Sequence, residues 1–139
     1  MQRRTLLALG ALTLAPLTSA TAQEVTFDHL QTVDLAGDAE IVAYDAGSKR
    51  LFVTDATFDA LNVFQTGSTP GALLLPLAPI ALGGNPNSVA VSDGLVAVAV
   101  EGATAQDLGF VEFYNANGSP SGSPVQVGAL PDMVTFTPD

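Results

Sequence analysis

The sequence predicts an all-β fold: a β-propeller of four-stranded blades, incomplete in this chain at about two blades plus flanking strands. Three observations carry this reading. No stretch after residue 23 keeps a helical period, and short β-rich runs are instead punctuated by Gly, Pro, Asn, Asp and Ser. A pattern also recurs: Glu40-Ile41-Val42-Ala43-Tyr44 aligns with Asn87-Ser88-Val89-Ala90-Val91 and with Asp132-Met133-Val134-Thr135-Phe136. Val42, Val89 and Val134 stand 47 and 45 residues apart, the length of one propeller blade. Third, Leu95 to Val100 (LVAVAV) is apolar on both faces, as a strand is when a neighbouring blade covers each side. A β-sandwich also uses short alternating strands, but a fixed period of this length marks a repeat array.

The first element is an export signal. Arg3 and Arg4 precede an apolar run from Thr5 to Leu17, and Ala20-Thr21-Ala22 supplies a small-residue cleavage site. Cleavage after Ala22 leaves Gln23 as the new N-terminus and a secreted or periplasmic protein. Pro16 interrupts the run well short of the about 20 apolar residues a membrane span needs. Gln2 to Leu7 fits a twin-arginine signal as well as a general secretory one. Removing the signal leaves Lys49 and Arg50 facing all 14 acids, so the net charge deepens from -10 to -12. Such a surface excludes nucleic acid as a partner, because no cation cluster is present to neutralise phosphates. It favours cations such as calcium instead.

Thr26 to Leu35 alternates and reads as one outer strand. Phe27, His29, Gln31, Val33 and Leu35 share a face there, so His29, the only histidine, is expected to be partly buried and bonded to backbone. The first blade then covers about residues 39–82: Ile41 to Tyr44, a turn at Asp45-Ala46-Gly47-Ser48, Leu51 to Val53, and Leu61 to Phe64. Leu73 to Leu82 is apolar but broken by Pro76 and Pro79, and reads as a blade-edge strand or an apolar loop. The second blade covers about residues 87–128. Val89 to Val91, a turn at Ser92-Asp93-Gly94, Leu95 to Val100 and Phe110 to Tyr114 build it, and Asn117-Gly118 suits a reversal. Asp132 to Phe136 is the first strand of a third blade. Repeat units need neighbours to bury their cores. Residues 23–139 therefore read as the N-terminal part of a longer propeller, whose remaining blades are its nearest partners. Short chains self-assembling into a ring are the alternative.

Composition removes most catalytic chemistry. Zero cysteines exclude a disulfide scaffold, a thiolate zinc site and a cysteine nucleophile. No Ser sits in a G-x-S-x-G elbow, and Gly83-Gly84-Asn85-Pro86 leads into a strand where a phosphate loop leads into a helix. Asn117-Gly118-Ser119 matches a glycosylation sequon only formally, given the bacterial type of signal. The sharper hypothesis concerns Glu40, Asn87 and Asp132, which hold one position in three successive repeats. The first strand of a blade is innermost, so these oxygens line a mouth of the central channel. There they form a candidate metal site for a hard cation such as calcium, or else serve as strand-edge polar residues facing channel water. Asp55, Asp59, Glu101 and Asp107 fall in loops after the second strands and read as turn residues.

Residues 39–56 (AEIVAYDAGSKRLFVTDA), 85–102 (NPNSVAVSDGLVAVAVEG) and 128–139 (GALPDMVTFTPD) resemble the choice-of-anchor I family. This is a group of secreted, mostly bacterial propellers with YVTN-like repeats, related to a mesenchyme surface glycoprotein of animals. The resemblance covers about residues 27–139. It implies a seven-blade type of propeller, often beside other exported domains and a sorting anchor. Some relatives carry alkaline-phosphatase-like names, and no catalytic residue of theirs maps onto this chain. The expected function is an exported, non-catalytic module that binds or scaffolds a protein, a glycan or a cell-surface component. The alternative is a secreted phosphatase-, phytase- or esterase-like hydrolase on a metal-binding propeller. A quinone-cofactor dehydrogenase finds no supporting residues.

Overall fold

The computed structural model describes residues 24–138. The predicted signal at residues 1–22 and its cleavage site lie outside the described residues. Among the described residues, nine strands form two antiparallel sheets: β1 (Ala39–Asp45), β2 (Arg50–Asp55), β3 (Ala60–Gln65), β4 (Leu75–Pro76) and β5 (Ile80–Ala81), then β6 (Pro86–Ser92), β7 (Leu95–Val100), β8 (Leu108–Asn115) and β9 (Val125–Ala129). There is no helix among the described residues. β4 and β5 both pair with β3, so they are one outer strand interrupted between its two short halves. Pro76 and Pro79 explain the interruption, since neither can donate to a ladder. Each sheet is thus a four-stranded meander, and the two blades fall where the repeat predicts.

Local chemistry sets the turns. Asp93-Gly94 closes β6–β7 as a two-residue hairpin with φ of 48° and 79°, the pair of positive values a type I′ turn requires. The first blade uses a longer turn between β1 and β2, and a shorter one between β2 and β3 than the second blade has between β7 and β8. The residues between β1 and β2 end on Lys49 at φ 56°, and those between β2 and β3 end on Asp59 at φ 48°. In each case the Asp that closes the preceding strand organises the turn. Asp45 Oδ2 accepts from Ser48 N at 2.8 Å, and Asp55 Oδ1 accepts from Phe58 N at 3.2 Å.

Packing follows the period of two. Phe52 pairs with Val63 and Thr54 with Leu61, so these four share one face of the first sheet. Val89 pairs with Val98, and Val91 with Val96, on one face of the second. The two faces meet. Phe52, Leu61, Val63 and Ile80 bury against Val89, Val96, Val98, Val100 and Tyr114 in a single cluster. Ala97 and Ala99 fall on the opposite face of β7 and are also buried, as the doubly apolar LVAVAV run leads one to expect. Arg50 adds a polar latch: its guanidinium donates from Nη1 to the Ala116 carbonyl of the second blade. Both inner strands carry a one-residue irregularity near the start, between Ala39 and Val42 and between Pro86 and Ser88.

Two expectations are corrected. Residues 26–35 do not pair as a strand with any described residue. Without a sheet there is no packed face to enter, so Phe27 is 93% exposed. His29 is likewise exposed, and the hydrogen bond of its Nε2 is to Thr32 Oγ1 at 3.0 Å, not to backbone. Residues 132–136 are not assigned as a strand either. They are nonetheless tethered beside β6, because Val134 N donates to Ser88 Oγ at 3.2 Å and Asn87 Nδ2 to Pro131 O at 3.3 Å. A middle strand to pair with them is absent from the described residues.

Asp45 yields a pH prediction. The adjacent Ser48 hydroxyl and then its N–H hold the carboxyl below the usual carboxylate range. The 2.8 Å N–H bond is the firmer cause, since the hydroxyl makes no hydrogen bond of ordinary geometry. A depressed native pKa adds stability above the ordinary carboxylate range and loses it as pH falls through the native value. Asp45→Asn should therefore destabilise the fold near neutrality and lessen its loss of stability in acid, as followed by thermal melts between pH 7 and pH 3.

Candidate functional site

The seam between the blades opens at one end into a cleft of about 670 Å³. Segments of both blades build it. The turn before β3 contributes Asp59, the connection between blades contributes Gly83, Gly84 and Asn85, and the loop after β7 contributes Glu101. β8 supplies Glu112 to the wall. Backbone bonds fix the frame: Leu82 N donates to Asp59 O at 2.9 Å, and Glu101 N to Asn85 O at 3.0 Å.

Glu112 is the most constrained of these acids. It pairs with Val98, so its side chain projects from the face that packs on the first blade. Its Oε1 accepts from Gly83 N at 3.1 Å and its Oε2 from the Tyr114 hydroxyl at 2.6 Å. A Cβ at position 83 would lie 2.6 Å from Oε1, so a larger residue there would displace the end of the Glu112 side chain. Burial first, and then the bonded Glu112 carboxylate, push the Tyr114 phenol well above its ordinary pKa and keep it a donor. The Oδ1 atom of Asn85 is buried without a hydrogen-bond partner among the described residues, an acceptor held in the wall of the same cleft. Both cations of the described residues are engaged elsewhere, Lys49 with Ser68 Oγ and Arg50 with Gln65 and Ala116. The cleft therefore has three acids and no Lys or Arg in its lining.

The acids read from the sequence as turn residues divide into two pairs. Asp55 and Asp107 are turn builders: Asp55 bonds Phe58 N and Asn62 Nδ2, and Asp107 Oδ2 accepts from Thr104 N at 2.9 Å. Asp59 and Glu101 line the cleft instead. Asn85 and Glu112 belong to no catalytic or metal-binding sequence motif. Glu112 carried a signal, a carboxylate set between apolar residues on an alternating strand, whereas Asn85 looked only like part of a turn. Of the candidate metal residues, Glu40 and Asn87 occupy the irregular starts of β1 and β6, and the Asn87 amide bonds the carbonyl of Pro131, next to Asp132. Among the described residues, no three His, Cys, Asp or Glu side chains are grouped so as to hold a metal ion.

Two antiparallel meanders stacked face on face, repeated at blade length, define a propeller module, here an incomplete one. A family model described as "Choice-of-anchor I domain" matches residues 40–139, and the chain belongs to that family. Such a domain is a feature of exported or surface-associated proteins. No curated protein and no solved structure matches the chain. No helix among the described residues is long and apolar enough to cross a membrane.

Removal of the Glu112 charge tests the electrostatics of the cleft. Glu112→Gln should lower the pH at which Tyr114 ionises while leaving it above the ordinary phenol range, because burial persists. Ultraviolet absorbance of the phenolate reports this directly, and an unchanged titration would contradict the assigned contact.

Proposed function

We propose that this chain is a binding module of an exported protein, and that the cleft between its blades receives donor-rich groups of a protein or glycan partner. The observation that carries the reading is the lining: three acids, Asp59, Glu101 and Glu112, border one cavity together with Asn85, and no Lys or Arg is among the residues that line it. Ammonium, guanidinium or clustered hydroxyl groups supply the hydrogens such a wall needs. The arrangement holds no nucleophile with an adjacent base, so it supports binding in preference to hydrolysis. The same reading assigns Glu40 and Asn87, at the starts of β1 and β6, and Asp132, which follows β9, to a polar rim for a cation such as calcium.

A panel of glycans and Lys- or Arg-rich peptides is the test, with affinities measured by titration calorimetry. Asp59→Asn with Glu101→Gln should weaken a positive hit at least about tenfold, or about 1.4 kcal/mol, and raised salt should act in the same direction. Asn tolerates the positive φ of position 59, so the pair preserves the turn. Affinity untouched by both substitutions would overturn the reading. So would phosphate-ester hydrolysis that is lost in Glu40→Gln and Asp132→Asn variants.

A further inference from the structure

We propose that the end of the blades that holds the cleft is a docking surface for an arginine-bearing segment of another protein, with Phe58 as its apolar anchor. This assignment rests on the cleft as a binding site and narrows its occupant from protein or glycan to a basic peptide segment. The strand directions sort the charges. Alternate turns of a meander lie at opposite ends of its sheet, so the β1–β2, β3–β4, β6–β7 and β8–β9 turns share one end. The β2–β3 and β7–β8 turns lie at the other, with the connections that lead into β1 and β6.

Lys49 and Arg50 both fall at the first end, where Asp45 and Asp93 balance them. The second end carries Asp38, Glu40, Asp59, Glu101 and Asp107, with no Lys or Arg among the described residues there. Glu101 is half-buried and the other four are exposed. The chain is therefore polarised along its strands, and the acidic end raises the local concentration of a basic partner. Blades stack side by side, so the strand ends stay open whichever blades adjoin.

Charge alone attracts without fixing a position. Position comes from Phe58, which is 60% exposed in the β2–β3 turn beside Asp59. That turn is held from both sides. The buried Asp55 carboxylate accepts from Phe58 N at 3.2 Å and from Asn62 Nδ2 at 2.8 Å, and Asp59 O accepts from Leu82 N at 2.9 Å. A ring carried on a turn already ordered costs little entropy to engage. A second ring, Phe110, shares the face of Glu112 on β8 and lines the cleft. Aromatic rings beside carboxylates suit a guanidinium, which stacks on the ring while its N–H groups bond the acids. A neutral glycan could use the rings but would draw nothing from the five acids.

Titration calorimetry with an alternating Arg-Gly decapeptide on the full exported protein is the test. Phe58→Ala should weaken binding about fivefold. Asp107→Asn should weaken it about threefold, since its charge is at the docking end. Asp93→Asn removes the same charge from the opposite end, in a turn that Asn-Gly also forms, and should leave the affinity unchanged. Equal losses at Asp93 and Asp107, or none at Phe58, would overturn the proposal by reducing the binding to unlocalised charge attraction. So would a neutral glycan whose binding falls with Asp59→Asn and Glu101→Gln but not with Phe58→Ala, although the cleft reading would then stand. Peptide affinity untouched by Asp59→Asn with Glu101→Gln is the separate result that sinks the cleft reading, and this assignment with it.

Discussion

The structure depends on one contact, the burial of the Phe52–Leu61–Val63 face of the first blade against the Val89–Val96–Val98 face of the second. Neither sheet has another apolar layer of comparable extent among the described residues. A single twisted sheet of this size is at best marginal in water, and a meander gains independent stability only when a face is covered. The valines suit this role because β-branched side chains fill a pleated surface in few rotamers. The larger Phe52 and Leu61 supply the volume opposite them. The Arg50 latch to Ala116 and the packing of Tyr114 fix the relative position of the blades at the edges of that layer.

The cleft follows from the same packing. The connection at residues 83–85 crosses between the blades, and the cleft lies beside it with residues of both blades in its lining. Glu112 reaches the cleft because its register, opposite Val98, places it on the packed face between the Val96–Tyr114 and Val100–Phe110 pairs. A carboxylate there is tolerable only with partners, and Gly83 N and the Tyr114 hydroxyl supply them. The site is therefore a consequence of how two blades are joined, and both blades are needed to form it.

The blade pattern was legible in the sequence because burial repeats at fixed spacing: Val42, Val89 and the LVAVAV strand report the period and the doubly covered sheet. Turn chemistry was equally plain at Asp93-Gly94, where the required positive φ values select those residues. The sequence reading failed where pairing depends on a partner outside the described residues. Residues 26–35 alternate as a strand should, but alternation records which face is meant to be covered and says nothing about whether the covering element is present. His29 was misplaced for that reason. The cleft was half legible. Asp59 and Asp55 look alike in sequence, both at turns, and only the three-dimensional course of the chain turns one toward a cavity and the other into a hydrogen-bonded corner. Asn85 is hidden more deeply, because its buried amide oxygen is a property of packing between distant segments.

Native-state hydrogen exchange on Phe52→Ala tests most directly whether the seam governs the fold. Truncating this fully buried ring removes contact from both blades, at a cost of about 3–5 kcal/mol. If the seam joins the blades into one cooperative unit, the slowest amides of β2 and β7 should lose the same amount of protection. A loss confined to β1–β5, with β6–β9 unchanged, would contradict that and show that the second blade stands without the first.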